Sequence, residues 1–163
     1  MWLFSKSIRG YTLVEMLGTL AIIAILAVMV MPYGKLVVKR QNEFLLDRSL
    51  RTIRVAIDRF HEDWRNGKIS KITKVASSDG YPVDLKLLVE GVPGKELTSV
   101  PIKYLRRIPA DPFAPAGISP EDQWQYIGYR DKPDTNYWNK EDVYDIRSKS
   151  QATSINGSGY RDW

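Results

Sequence analysis

The most chemically pointed residue in this sequence is a carboxylate placed where charge is costly. From Tyr11 to Met31 the sole acidic or basic side chain is Glu15, set in an otherwise almost continuous apolar run. An ionised carboxylate at membrane depth costs about 3 kcal/mol on insertion scales and usually marks function. Glu15 lies four residues into the run, about 6 Å along a helix, so reaching towards the interface lowers that cost. A cation is the partner this chemistry asks for.

Other constellations are thin. His61 is the single histidine and sits next to Phe60 beside an apolar helical stripe, where a helix-surface or boundary position explains it better than general-base work. There are no cysteines, which excludes disulfides, thiolate metal sites and a Cys nucleophile. No serine has a histidine and carboxylate at motif spacing. The acids between Asp47 and Asp63 alternate with arginines and read as a solvated helix face. The residues point away from catalysis, and no cofactor is expected.

The elements that must position Glu15 come next. The run from Tyr11 to Met31 would span about 30 Å as a helix, the thickness of a bilayer core, and exceeds an ordinary secretory apolar region. Ahead of it stands MWLFSKSIRG, with Lys6 and Arg9 and ending in Gly10. Lys35, Lys39 and Arg40 follow the span, so flanking charge does not choose a topology. The formal charge is +5; without Lys6 and Arg9, 22 basic residues face 19 acidic ones. They are interspersed along the chain, so no nucleic-acid partner is expected.

Gly10-Tyr11-Thr12-Leu13-Val14-Glu15-Met16-Leu17, with its basic leader and long apolar helix, resembles the processing site of type IV pilins and type II secretion pseudopilins. Tyr11 stands where that family most often has Phe. The resemblance implies that a prepilin peptidase cuts after Gly10 on the cytoplasmic face and methylates the new amine of Tyr11. It implies that Glu15 faces the N-terminal amine of a neighbouring subunit, which would neutralise the carboxylate. It also implies a single-pass protein of the inner (cytoplasmic) membrane, leader cytoplasmic and C-terminal head periplasmic.

Beyond the span, Pro32 and Gly34 predict a helix break or kink, since proline lacks the N–H that would bond the Val28 carbonyl. Leu46, Leu50, Ile53, Ile57, Phe60 and Trp64 then recur at spacings of three and four, an amphipathic helix. Asp47–Arg51, Arg54–Asp58 and Arg59–Asp63 are four apart and could pair along it. Asn66-Gly67 reads as its end.

The rest reads as a small head. Lys68 to Ser78 is polar and irregular, Gly80-Tyr81-Pro82 a turn, and Asp84 to Glu90 a short helix closed by Gly91. Trp124 to Tyr129 and Val143 to Arg147 alternate as half-buried antiparallel strands. The fold class is α+β: a long N-terminal helix, membrane-spanning then amphipathic, packed against a small antiparallel sheet. The boundaries are 1–10 leader, 11–32 transmembrane and assembly segment, 33–66 amphipathic continuation and 67–163 extracytoplasmic globular head.

That head is similar to the major pseudopilin of type II secretion systems, through Gly80-Tyr81-Pro82, Tyr104-Leu105, Ile108-Pro109, Asp111-Pro112-Phe113, Trp124-x-Tyr126, Val143-Tyr144-Asp145-Ile146 with Ser148, and Asp162-Trp163. Such pseudopilins commonly bind calcium in an Asp-rich C-terminal loop. Here Ser148 to Arg161 holds no Asp or Glu, so no metal is expected, and Gly157-Ser158-Gly159 reads as a loop closure. The resemblance implies a filament subunit whose partners are further copies, minor pseudopilins, the prepilin peptidase, the inner-membrane assembly platform and lipid. The alternatives are a type IV pilin for adhesion, motility or DNA uptake, and a ligand-binding domain on a signal anchor.

Overall fold

The periodicity that predicts one long helix is realised as α1, Leu13–Arg65. The computed structural model describes residues 10–71, 74–95, 100–132 and 135–163; Lys6 and Arg9 of the expected leader lie outside them. The chain divides into two units, the first ending at Lys39 and the second running from Arg40 to Trp163. In the first, α1 presents apolar side chains without covering them: Leu13, Leu17, Leu20, Ile23 and Leu26 are all exposed.

The second unit is built on the later part of α1. Leu46, Leu50, Ile53, Ile57 and Phe60 are buried and Trp64 packs half-buried beside them, so the whole stripe faces the core. Burial of each such side chain stabilises by roughly 2 kcal/mol, far more than helix propensity supplies. The helix ends as Asn66-Gly67 predicts. Gly67 takes φ +69°, its N–H donates to the Trp64 carbonyl at 3.1 Å, and the Lys68 N–H donates to the Asp63 carbonyl at 2.9 Å. These are the paired bonds of a Schellman cap.

Against the stripe lie α2 (Leu87–Glu90) and a two-stranded antiparallel sheet, β1 (Trp124–Ile127) with β2 (Asp145–Ser148), in register Trp124 to Ser148 and Tyr126 to Ile146. The α+β arrangement is therefore present, and the strands are shorter than the sequence pattern predicts. Loop residues supply much of the core: Ile69, Leu85, Val92, Leu105, Val143 and Tyr160 are buried with it. Ile69 corrects the reading of Lys68 to Ser78 as polar and irregular, since it is buried and bridges Gly94.

The charged face also differs from expectation. Arg54 does not pair with Asp58 four residues on. Its Nε donates to Asp145 at 2.7 Å, and one terminal nitrogen reaches the carbonyl oxygens of Ile146 and Trp163 at 3.2 and 2.6 Å. Asp63 accepts from Lys68 Nζ at 2.7 Å and the Tyr104 hydroxyl at 3.1 Å, not from Arg59. Partners brought in by the tertiary fold win because i, i+4 pairs contribute only tenths of a kcal/mol.

Gly80 is required by both conformation and space. Its φ is +87°, and a Cβ there would overlap the Trp64 indole. Gly80→Ala is expected to destabilise the head by about 2–3 kcal/mol, read as a lower urea midpoint with unchanged slope.

Candidate processing and assembly site

Three of the site residues expected from sequence cluster at the N-terminal end of α1. Gly10 and Tyr11 precede the helix and are exposed, Tyr11 at 81 %. A side chain at Gly10 would meet no atom within 4 Å, so the fold itself does not demand glycine there.

Thr12 starts the helix. Its hydroxyl accepts the Glu15 N–H at 3.2 Å, and its carbonyl accepts the Met16 N–H at 3.1 Å. This is the threonine half of a Thr-x-x-Glu capping box, which occupies orphan donors of the first turn. The pattern is visible in the sequence, yet Thr12 was not singled out there because the Gly-aromatic pair beside it dominates the reading.

Glu15 stands at the third helical position, where the helix dipole favours a negative charge. Its carboxylate makes no hydrogen bond or ion pair among the described residues. Helix start and acid are thus fixed in register while the acid stays unpartnered. That arrangement can receive a cation from outside the chain.

Pro32 and Gly34 lie some seventeen residues further on, about 25 Å along the helix, and are not part of this cluster. α1 runs across both without interruption, so the expected break does not end the helix. At Gly34 no neighbour lies within 4 Å of a Cβ position.

Residues 5–31 match the prokaryotic N-terminal methylation motif. That match supports a type IV pilin-like protein, processed and methylated at its N-terminus. With the long apolar helix, of mean hydropathy 2.5 over its best window, it fits a single-pass membrane-anchored protein. The match stops before the head. No curated protein and no solved structure matches the chain.

The loop from Ser154 to Ser158 is closed by side-chain hydrogen bonds. Asn156 Oδ1 accepts from the hydroxyls of Ser154 and Ser158, and the Trp163 indole N–H donates to Ser158 Oγ at 2.9 Å. Gly157, at φ +90°, makes the turn. Glu43 on α1 then ties the loop down, its Oε1 accepting the Ile155 N–H and the Tyr160 hydroxyl, both at 2.8 Å. His61 lies at the edge of the stripe, its ring stacked on Tyr81 at 4.3 Å and its Nδ1 3.2 Å from the Gly80 carbonyl.

Burial, and then the hydrogen bond and charge of Glu43, push the Tyr160 phenol from 10.0 up to about 12. A phenol with a raised folded pKa contributes its full stabilisation below pH 10 and loses it as pH climbs towards 12. Tyr104 and Tyr126 shift the same way, chiefly by burial. Head stability is therefore expected to fall between pH 10 and 12, and Tyr160→Phe to flatten that fall in pH-dependent melting.

Proposed function

We propose that this protein is a pseudopilin: a structural subunit, not a catalyst, that polymerises into the pilus-like filament of a type II secretion system. A membrane prepilin peptidase would remove residues 1–10 on the cytoplasmic side and methylate Tyr11, leaving the head periplasmic and the helix in the inner membrane. The observation that carries the reading is the unpartnered Glu15 carboxylate, fixed in the first turn of an uncovered apolar helix. In a filament the methylated amine of a neighbour would supply its missing cation, and neighbouring helices would cover the apolar surface. Minor pseudopilins and an inner-membrane platform would be the remaining partners. The type II assignment, as against a pilus for adhesion or motility, rests on the head motifs from Gly80-Tyr81-Pro82 to Asp162-Trp163.

Intact mass of the membrane-extracted protein tests the first step. Loss of residues 1–10 together with gain of one methyl group is expected, and an intact Met1 terminus would sink the reading. Glu15→Ala is expected to be processed and folded yet to reduce filament yield at least tenfold. Normal filaments from that variant would remove Glu15 from assembly.

A further inference from the structure

Along the crease between α1 and the segment from Tyr104 to Ala110, two hollows of about 570 and 320 Å³ adjoin, sharing Arg48 and Thr52. Arg48, Thr52, Val55 and Arg59 recur at spacings of four, three and four, so they form one stripe on the helical wall. The end arginines of that stripe are eleven residues apart, about 16 Å along the axis. Arg51 flanks the stripe, and Arg107 stands on the other wall with Ile108 beside it. None of these four guanidinium groups makes a hydrogen bond or ion pair among the described residues. No Asp or Glu lines either hollow among those residues.

Both walls are held in place. The Ala110 carbonyl accepts the Ser49 hydroxyl of α1 at 3.4 Å, and the Pro109 carbonyl accepts the Trp124 indole N–H at 3.0 Å. The backbone N–H and carbonyl groups of Arg106, Arg107 and Ile108 make no hydrogen bond among the described residues. Backbone left open in this way can pair with an extended chain. Tyr104, the aromatic residue of the lining, has its ring edge-on to Phe60 and its hydroxyl on Asp63. The groove therefore lacks the free aromatic platform on which single-stranded nucleic acid stacks.

We propose that this groove binds an extended acidic segment of a partner protein, about five residues long at 3.3 Å per residue, in which carboxylates alternate with aliphatic side chains. Such a segment matches the 16 Å between Arg48 and Arg59. Alternate side chains of a strand point to opposite sides, so one set meets the guanidinium groups while the other covers Leu45, Val55 and Ile108. A carboxylate presents two oxygens to the guanidinium fork. Four like charges gathered without an acid repel one another until such a partner arrives. The site requires no contact between copies of the chain and goes beyond the filament reading.

The probe is a short fluorescein-labelled peptide of alternating glutamate and leucine, titrated against the full chain in nanodiscs of zwitterionic lipid. Saturable binding is expected, and an isomer with its glutamates in one block and its leucines in another should bind at least tenfold more weakly. Arg48→Gln with Arg107→Gln should weaken the alternating peptide at least tenfold. Arg106→Gln, exposed and outside the lining, should leave it within about twofold. In 1 M salt, where the Debye length falls to about 3 Å, binding should also weaken. Absence of saturable binding, equal affinity for the two isomers, or equal affinity in the double variant overturns the proposal. The isomer comparison uses the unmodified chain and stands whether or not the double variant folds. Tighter binding of an oligothymidylate of equal length overturns it in favour of a phosphate ligand. Self-association that excludes the peptide, seen by sedimentation, overturns it in favour of a second copy. Glu15→Ala is expected to bind the peptide unchanged, so failure of this site and failure of the filament reading are distinguishable.

Discussion

Phe60→Ala is expected to lower the unfolding free energy of the head by about 3–5 kcal/mol. Phe60 is fully buried in the stripe and meets Tyr104 edge-on, ring centroids 5.6 Å apart. Truncation removes its transfer free energy and leaves a cavity between α1 and the segment around Leu105, which is itself pinned to α2 through bonds to the Leu88 carbonyl. Pinned walls collapse poorly, which places the cost high in the range. Against a total stability of about 5–15 kcal/mol for a domain, that is a large share of the margin. Urea unfolding of the full chain in detergent checks this. Phe44→Ala, on the same helix at an exposed position, should stay within about 0.5 kcal/mol.

Asp111→Ala is expected to cost about 3 kcal/mol, through a different mechanism. The carboxylate is buried; Oδ2 accepts the Ser148 hydroxyl at 2.6 Å and Oδ1 the Phe113 N–H at 2.8 Å. Each bond to a charged acceptor contributes about 1.5–3 kcal/mol, and removing the acceptor strands a buried hydroxyl at the end of β2. Ser148→Ala should cost less. In a double-mutant cycle the pair should fall short of additivity by at least about 1 kcal/mol. An additive pair would show that Asp111 stabilises the loop independently of Ser148.

The legible parts of the fold are those whose signals are local. The stripe from Leu46 to Trp64 is readable because helical periodicity needs only neighbours along the chain. The end at Asn66-Gly67 is readable because left-handed backbone favours glycine. What escaped is what depends on distant partners. Arg54 has an acid four residues away in Asp58, yet its true partner Asp145 comes from the sheet. Ile69 is a lone apolar residue among polar ones, and nothing nearby says that Gly94 will pair with it. The tie from Glu43 to Tyr160 joins segments that no spacing rule connects.

In the candidate site, Gly10, Tyr11 and Glu15 are legible as a compact pattern. The free state of the Glu15 carboxylate required coordinates. Pro32 and Gly34 are a strong local signal for a break or kink, and α1 nonetheless continues across both.

The clasp of Arg54 on Asp145, Ile146 and Trp163 sets the order in which the head can mature. Its helical side is made early in synthesis and its partners about a hundred residues later. At typical elongation rates the interval is roughly 5–20 s. Throughout it the apolar stripe of α1 lacks Val143, Ile146 and Tyr160, the last residues of its cover. Contacts of such long sequence separation also slow folding. The nascent chain thus passes through a window in which the apolar face of its helix is made but not yet covered by the rest of the head.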